Sequence, residues 1–212
     1  MKTYHIYPLL LVFILFLTSC AKSPMIEQDD HTPERVTIQQ EVRLGRVLHD
    51  QALQQLRETH PEAYMLYEQA RTAESQGKLN IAIETYHKAM QQAPENGLLL
   101  TGLGMAYLRN EDIVPARRYL LKAVRFDPDY YKSRLGLGYI YLQNRQLPKA
   151  ITQLEASLQL LPTTQGTFLL GEAEEAQGNL PRARELYQAV VQSDKNGKLG
   201  KTATTRLRSL LK

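Results

Sequence analysis

Residues 97–128, GLLLTGLGMAYLRNEDIVPARRYLLKAVRFDP, and residues 131–162, YKSRLGLGYIYLQNRQLPKAITQLEASLQLLP, align column by column at a spacing of 34. Small residues recur at Gly104 and Gly138, alanines at Ala116 and Ala150, and prolines at Pro128 and Pro162. Within each stretch, apolar residues fall three and four apart over two runs of about fourteen residues, with a short polar turn between. That pattern is a helical hairpin. Leu100, Leu103, Gly104 and Tyr107 mark one face of the first helix, and Ala116, Leu120, Ala123 and Val124 one face of the second.

The same columns extend outward on both sides. Pro94 precedes the proline ladder by 34, and Ala82 and Ala183 extend the alanine column by 34 and 33. Leu79, Ile113, Leu147 and Leu180 form another column, as do Tyr86, Leu120, Leu154 and Tyr187, and Ala70, Gly104, Gly138 and Gly171. Five columns in one register define an internal repeat. The small-residue columns let paired backbones approach closely while larger neighbours fill the flanks. Pro115, Pro148 and Pro181 sit in the first turn of each second helix, where a missing N–H costs nothing. Pro94, Pro128 and Pro162 end those helices.

The repeat resembles the tetratricopeptide repeat over residues 63–195, about 63% of the chain. Ala73 and Glu174 stand in the first and fourth units where Tyr107 and Tyr141 stand in the inner two, a departure that suits end units with one unpartnered face. The fold implied is all-α: a right-handed solenoid of about four hairpins over 63–96, 97–130, 131–163 and 164–195. An amphipathic helix within 34–62 carries Val42, Leu44, Val47, Leu48, Leu53 and Leu56 and covers the first unit. Residues 196–212, with Leu207, Leu210 and Leu211 among Lys and Arg, form a capping helix whose basic residues could alternatively touch anionic lipid.

The amino terminus reads as an address. Lys2 precedes an unbroken apolar run from Leu9 to Leu17, long enough for a signal peptide over 1–19 and about half a membrane span. Leu17-Thr18-Ser19-Cys20 resembles the lipobox of bacterial lipoproteins, which implies lipidation at Cys20, with palmitate among the acyl chains. In a two-membrane bacterium, Ala21 after that cysteine matches outer-membrane sorting, placing the chain in the cell envelope on the periplasmic face. Residues 20–33 are polar, contain two prolines and have no helical or strand period, so they read as a tether. Glu27, Asp29, Asp30 and His31 lie in that tether, where an unfixed backbone cannot set metal-ligand geometry.

Composition narrows the function. The 212 residues are 43% hydrophobic, with one Cys and no Trp, which excludes an internal disulfide and fits a globular domain. Net charge is +4 overall and +3 from Cys20 onward, too small and dispersed for a nucleic-acid footprint. TGLGMAY and LGLGYIY do not complete a phosphate-binding glycine motif. His5, His31, His49, His60 and His87 show no metal spacing and are expected mostly on the surface. Glu172, Glu174 and Glu175 read as a solvated acidic face, with nothing to mark a buried acid–base pair. No catalytic constellation, cofactor motif or small-molecule site emerges, and the expectation is a non-enzyme that holds a protein or peptide.

In the resembled family, the first helix of each unit lines a concave surface and its second, fifth, ninth and thirteenth positions point inward. The resemblance then implies Tyr64, Tyr67, Arg71 and Ser75 in the first unit, and Leu98, Thr101, Met105 and Arg109 in the second. Lys132, Leu135, Tyr139 and Gln143 follow in the third, with Phe168 and Glu172 in the fourth if its one-residue deletion precedes Gly171. Aromatic anchors beside arginine suit a peptide-binding surface. The combination of lipobox, tether and repeats resembles bacterial lipoproteins that assemble pili, secretins or outer-membrane proteins. A second likeness stands beside it: residues 37–53, TIQQEVRLGRVLHDQAL, and residues 160–192 resemble non-catalytic parts of periplasmic zinc metallopeptidases of outer-membrane quality control. That likeness implies an adaptor or substrate-presenting subunit.

Overall fold

The computed structural model describes residues 38–210, and side chains from residue 43 onward. The predicted signal peptide, Cys20, the tether, the first residues of the helix expected from 34, and Leu211 and Lys212 lie outside the described residues. The described chain is a run of ten helices with no strand: α1 (Ile38–Thr59), α2 (Pro61–Ser75), α3 (Leu79–Gln92), α4 (Gly97–Arg109), α5 (Ile113–Phe126), α6 (Tyr131–Gln143), α7 (Leu147–Leu160), α8 (Thr164–Gln177), α9 (Leu180–Ser193) and α10 (Lys198–Ser209).

Helices α2 to α9 pair as four hairpins, α2/α3, α4/α5, α6/α7 and α8/α9, stacked in chain order with α10 on the last. Their boundaries have local causes. Asn96 accepts a hydrogen bond from the Leu99 N–H at 3.0 Å, and Thr163 accepts one from the Gly166 N–H at 3.1 Å, so α4 and α8 begin on side-chain caps. Pro61, Pro148 and Pro181 stand in the first turns of α2, α7 and α9. The turn inside each hairpin carries one residue with positive φ, at Gly77, Glu111, Arg145 and Gly178, which repeats at the period of the fold.

Close backbone approach sets the register. A Cβ on Gly104 would stand 2.7 Å from Leu120 Cγ, and one on Gly136, in the next hairpin, 2.9 Å from Leu120 Cδ1. Leu120 is thus a knob held between glycines of two successive units, fully buried, and burial of this kind contributes about 1.5–3 kcal/mol. Gly138 against Leu154 repeats the contact at 2.5 Å. The core is accordingly a chain of clusters, one centred on Tyr67, Tyr86 and Leu103, another on Leu120 and Leu137, and others around Leu154 and Tyr187.

Helix α1 does more than cover the first hairpin. Its Leu53 and Leu56 pack on the first cluster, but its amino-terminal half reaches across to later units. A Cβ on Gly45 would stand 3.2 Å from Tyr131 Oη and 3.4 Å from Leu161 Cδ2, and His49 Nδ1 is hydrogen-bonded to the Tyr130 hydroxyl at 3.0 Å. Leu44 and Val47 on the same stretch are 46% and 45% exposed.

Candidate functional site

The inner helices α2, α4 and α6, with α1 beside them, enclose a pocket of about 280 Å³. Helix α2 supplies Tyr67, Arg71 and Glu74 at spacings of four and three, one helical face. Helix α4 supplies Leu98, Thr101, Gly102, Met105 and Arg109, and the start of α6 supplies Tyr131, Lys132 and Leu135. His49, Tyr86, Tyr130, Thr163 and Gln165 complete the lining.

Eight of the inward positions read from the sequence meet here: Tyr67, Arg71, Leu98, Thr101, Met105, Arg109, Lys132 and Leu135. They divide by depth. Tyr67 is 3% exposed and meets the Tyr86 ring edge-on at 5.8 Å, so it is mostly core. Leu98, Thr101 and Leu135 are also buried, and Thr101 Oγ1 donates to the Gly97 carbonyl at 2.8 Å. Met105, Arg109, Arg71 and Lys132 keep accessible surface.

The remaining positions lie elsewhere. Tyr64 is half-buried against the first core cluster, with the Arg57 guanidinium of α1 5.6 Å from its ring centre. Tyr139, 36% exposed, and Gln143 stand on α6 outside the pocket, while Ser75 lies at the end of α2 and donates to the Thr72 carbonyl at 2.7 Å. Phe168 is buried against Tyr187, and Glu172 faces Arg206 of α10 at 3.4 Å.

Glu74 organises the charged side of the pocket. Its side chain is 3% exposed; Oε1 accepts from Arg109 at 2.6 Å, and Oε2 accepts from Arg71 at 2.8 Å and from the Tyr86 hydroxyl at 3.2 Å. Lys132 Nζ lies over the rings of Tyr130 and Tyr131, 5.8 and 6.0 Å from their centres. Burial, then Arg71 and Arg109, hold its pKa below the usual lysine value. Burial, then Lys132 and Arg71, lower the His49 pKa to about 4, so this imidazole is neutral at pH 7. Burial is also the main reason the Tyr67, Tyr86 and Tyr130 hydroxyls titrate above their ordinary range and remain neutral donors.

Two sequence expectations are corrected. The acidic stretch on α8 is not a solvated face: Glu174 is 6% exposed and accepts from Asn179 Nδ2 at 3.1 Å, and Glu175 accepts from the Tyr187 hydroxyl at 2.6 Å. Spacing alone cannot reveal this, because the partners come from α9 and the turn before it. Nor are the described histidines mostly on the surface. His60 is exposed, but His49 is half-buried in the pocket wall and His87 is half-buried, 2.8 Å from the Tyr107 hydroxyl. Among the described residues no group of three or more His, Cys, Asp or Glu is placed to hold a metal, and no helix is long and apolar enough to cross a membrane.

A family model described as tetratricopeptide repeat matches residues 67–131, 101–163 and 135–198. BBSome complex member BBS4 of Bos taurus is 36% identical over 77 residues, covering 36% of this chain and 15% of that protein. Cellulose synthase 1 operon protein C of Komagataeibacter xylinus is 26% identical over 144 residues, covering 62% of this chain and 11% of that protein. The matched region is therefore a small part of either relative. Among solved structures, the tetratricopeptide protein TTC0263 of Thermus thermophilus superposes with a TM-score of 0.58 at 25% identity, covering 82% of this chain and 99% of that one. The pilF protein of Pseudomonas aeruginosa gives 0.60 at 22% identity, covering 82% and 84%. YrrB, described as having an unusual peptide-binding site, gives 0.59 at 21% identity, covering 79% and 90%.

Proposed function

The chain belongs to the tetratricopeptide repeat family, and on that premise we propose that it is a lipid-anchored, periplasmic, non-catalytic scaffold that holds a protein or peptide segment during assembly of a pilus, secretin or other outer-membrane complex. The observation that carries this reading is the pocket on the inner helices, where Met105, Arg109 and Lys132 stand accessible above a floor of buried Leu98, Thr101 and Leu135. An apolar floor with a few placed polar groups is the ordinary make-up of a recognition surface. The anchor rests on the apolar run from Leu9 and on Cys20, and the choice of process is supported by the likeness to the pilF protein.

Photocrosslinking in intact cells tests the reading. A benzophenone amino acid at Met105 or Tyr139 captures a subunit of an envelope assembly, while the same probe at Val114, 73% exposed on α5, does not. Capture of a periplasmic peptidase at the inner positions would favour the adaptor role instead, and equal labelling at all three positions would remove the groove from the account. Membrane release of a Cys20→Ala chain, with loss of incorporated palmitate, checks the anchor; a variant that stays bound and labelled would refute it.

A further inference from the structure

Among the described residues, the pocket's charges do not balance. Both carboxylate oxygens of Glu74 are already engaged by Arg109, Arg71 and the Tyr86 hydroxyl. Lys132 lies in the same pocket, half-buried, and among the described residues its ammonium has ring faces for company and no carboxylate. Three cations thus share one anion in a recess where His49 is neutral. Holding an ammonium partly out of water beside two guanidiniums is unfavourable until an anion arrives.

We propose that Lys132, with Arg71 and Arg109 beside it, receives a side-chain carboxylate of the bound segment, an aspartate or glutamate flanked by apolar residues. The flanking preference follows from Met105, Leu98 and Leu135 around the cations. The carboxylate is assigned to a side chain and not a chain end because the pocket draws its lining from α2, α4, α6 and the approach to α8, so that a segment laid through it passes several hairpins. Charge-assisted hydrogen bonds in such a partly dry recess are about twice as strong as neutral ones. The inference rests on the scaffold reading and names the chemistry of its partner.

The test pans phage-displayed random dodecapeptides, whose carboxyl ends are fused and so unavailable, against the full chain and its Lys132→Met and Lys132→Arg variants, with thermal melts to confirm folding. The expected outcome is enrichment of Asp or Glu at one position among apolar residues, with about tenfold weaker binding when that acid is replaced by its amide in a synthetic peptide. This discrimination is lost in Lys132→Met and retained in Lys132→Arg. The amide comparison on the unmodified chain stands even where a variant folds poorly. Apolar motifs with no acid preference would overturn the inference and leave the peptide groove standing. So would a preference that Lys132→Met leaves unchanged, or binding seen only with a second library bearing free carboxyl ends. Failure to select any peptide would overturn the inference and the scaffold reading together.

Discussion

Arg109 Nη1 lies 2.6 Å from Oε1 of Glu74, across the junction between the first and second hairpins. The last hairpin ends in a similar way: the Tyr187 hydroxyl donates to Glu175, and Arg206 of α10 approaches Glu172 at 3.4 Å and Glu175 at 3.7 Å. Both end units carry a tyrosine, Tyr86 or Tyr187, in the column that the inner units fill with Leu120 and Leu154. A buried phenol must place its O–H, and an acid twelve residues earlier receives it in each case.

Glu74→Gln keeps the shape and removes the charge that two half-exposed guanidiniums share. Stability falls by about 1–3 kcal/mol, less than for a fully buried pair because both arginines retain solvent. Urea unfolding of the full chain measures it. A loss below about 0.5 kcal/mol would put the Glu74 contacts at the strength of an ordinary surface pair.

Gly138→Ala sets two effects against each other. Helix propensity favours alanine by about 1 kcal/mol. The new Cβ, however, falls 2.5 Å from Leu154 Cγ and 3.4 Å from the Leu154 backbone nitrogen, so α6 and α7 must separate. Overpacking of this kind costs about 1–3 kcal/mol, and the net change is destabilising. The melting temperature reads the sign; an increase would mean the helices part without cost. Adding Leu154→Ala relieves the clash, so the pair is expected to be less harmful than the sum of its singles.

The His49 contact makes the seat of α1 sensitive to pH. Burial comes first, then Lys132 of α6 and Arg71 of α2, against an opposing pull from Asp50 of α1 itself, and together they bring its pKa down from 6.5 to about 4. The unfolded chain then binds more protons between those values, so the contribution is full above about pH 6.5 and declines as pH falls toward 4. After correction for the base-catalysed intrinsic rate, protection of the α1 amides therefore falls from pH 7 to pH 5 more than protection of the α6 amides. His49→Phe removes that difference; an unchanged pH response in the variant would show that other groups cause it.

Much of the architecture was legible in one dimension because a solenoid repeats its contacts at the period of its sequence. Gly104 and Gly138 each report a close approach within their own hairpin, the alanine column at Ala116 and Ala150 is buried, and such contacts span few residues. The site was legible in part. Arg71, Met105, Arg109 and Lys132 follow from position within a repeat, but position says nothing of depth, and Tyr67 and Leu98 sink into the core because neighbouring helices close over them.

His49, Glu74, Tyr130 and Tyr131 lay beyond such reasoning for a physical reason. Glu74 is a pocket residue because Arg109 and Tyr86 converge on it, and His49 because α1 crosses to a partner 81 residues away. Periodic spacing by itself determined that this chain folds into stacked helical hairpins with an inner face. Only the tertiary structure decided which inner residues stay wet, which acids are sealed, and where α1 lies, since these depend on how separate units curve around one another, and a repeat period carries no record of that curvature.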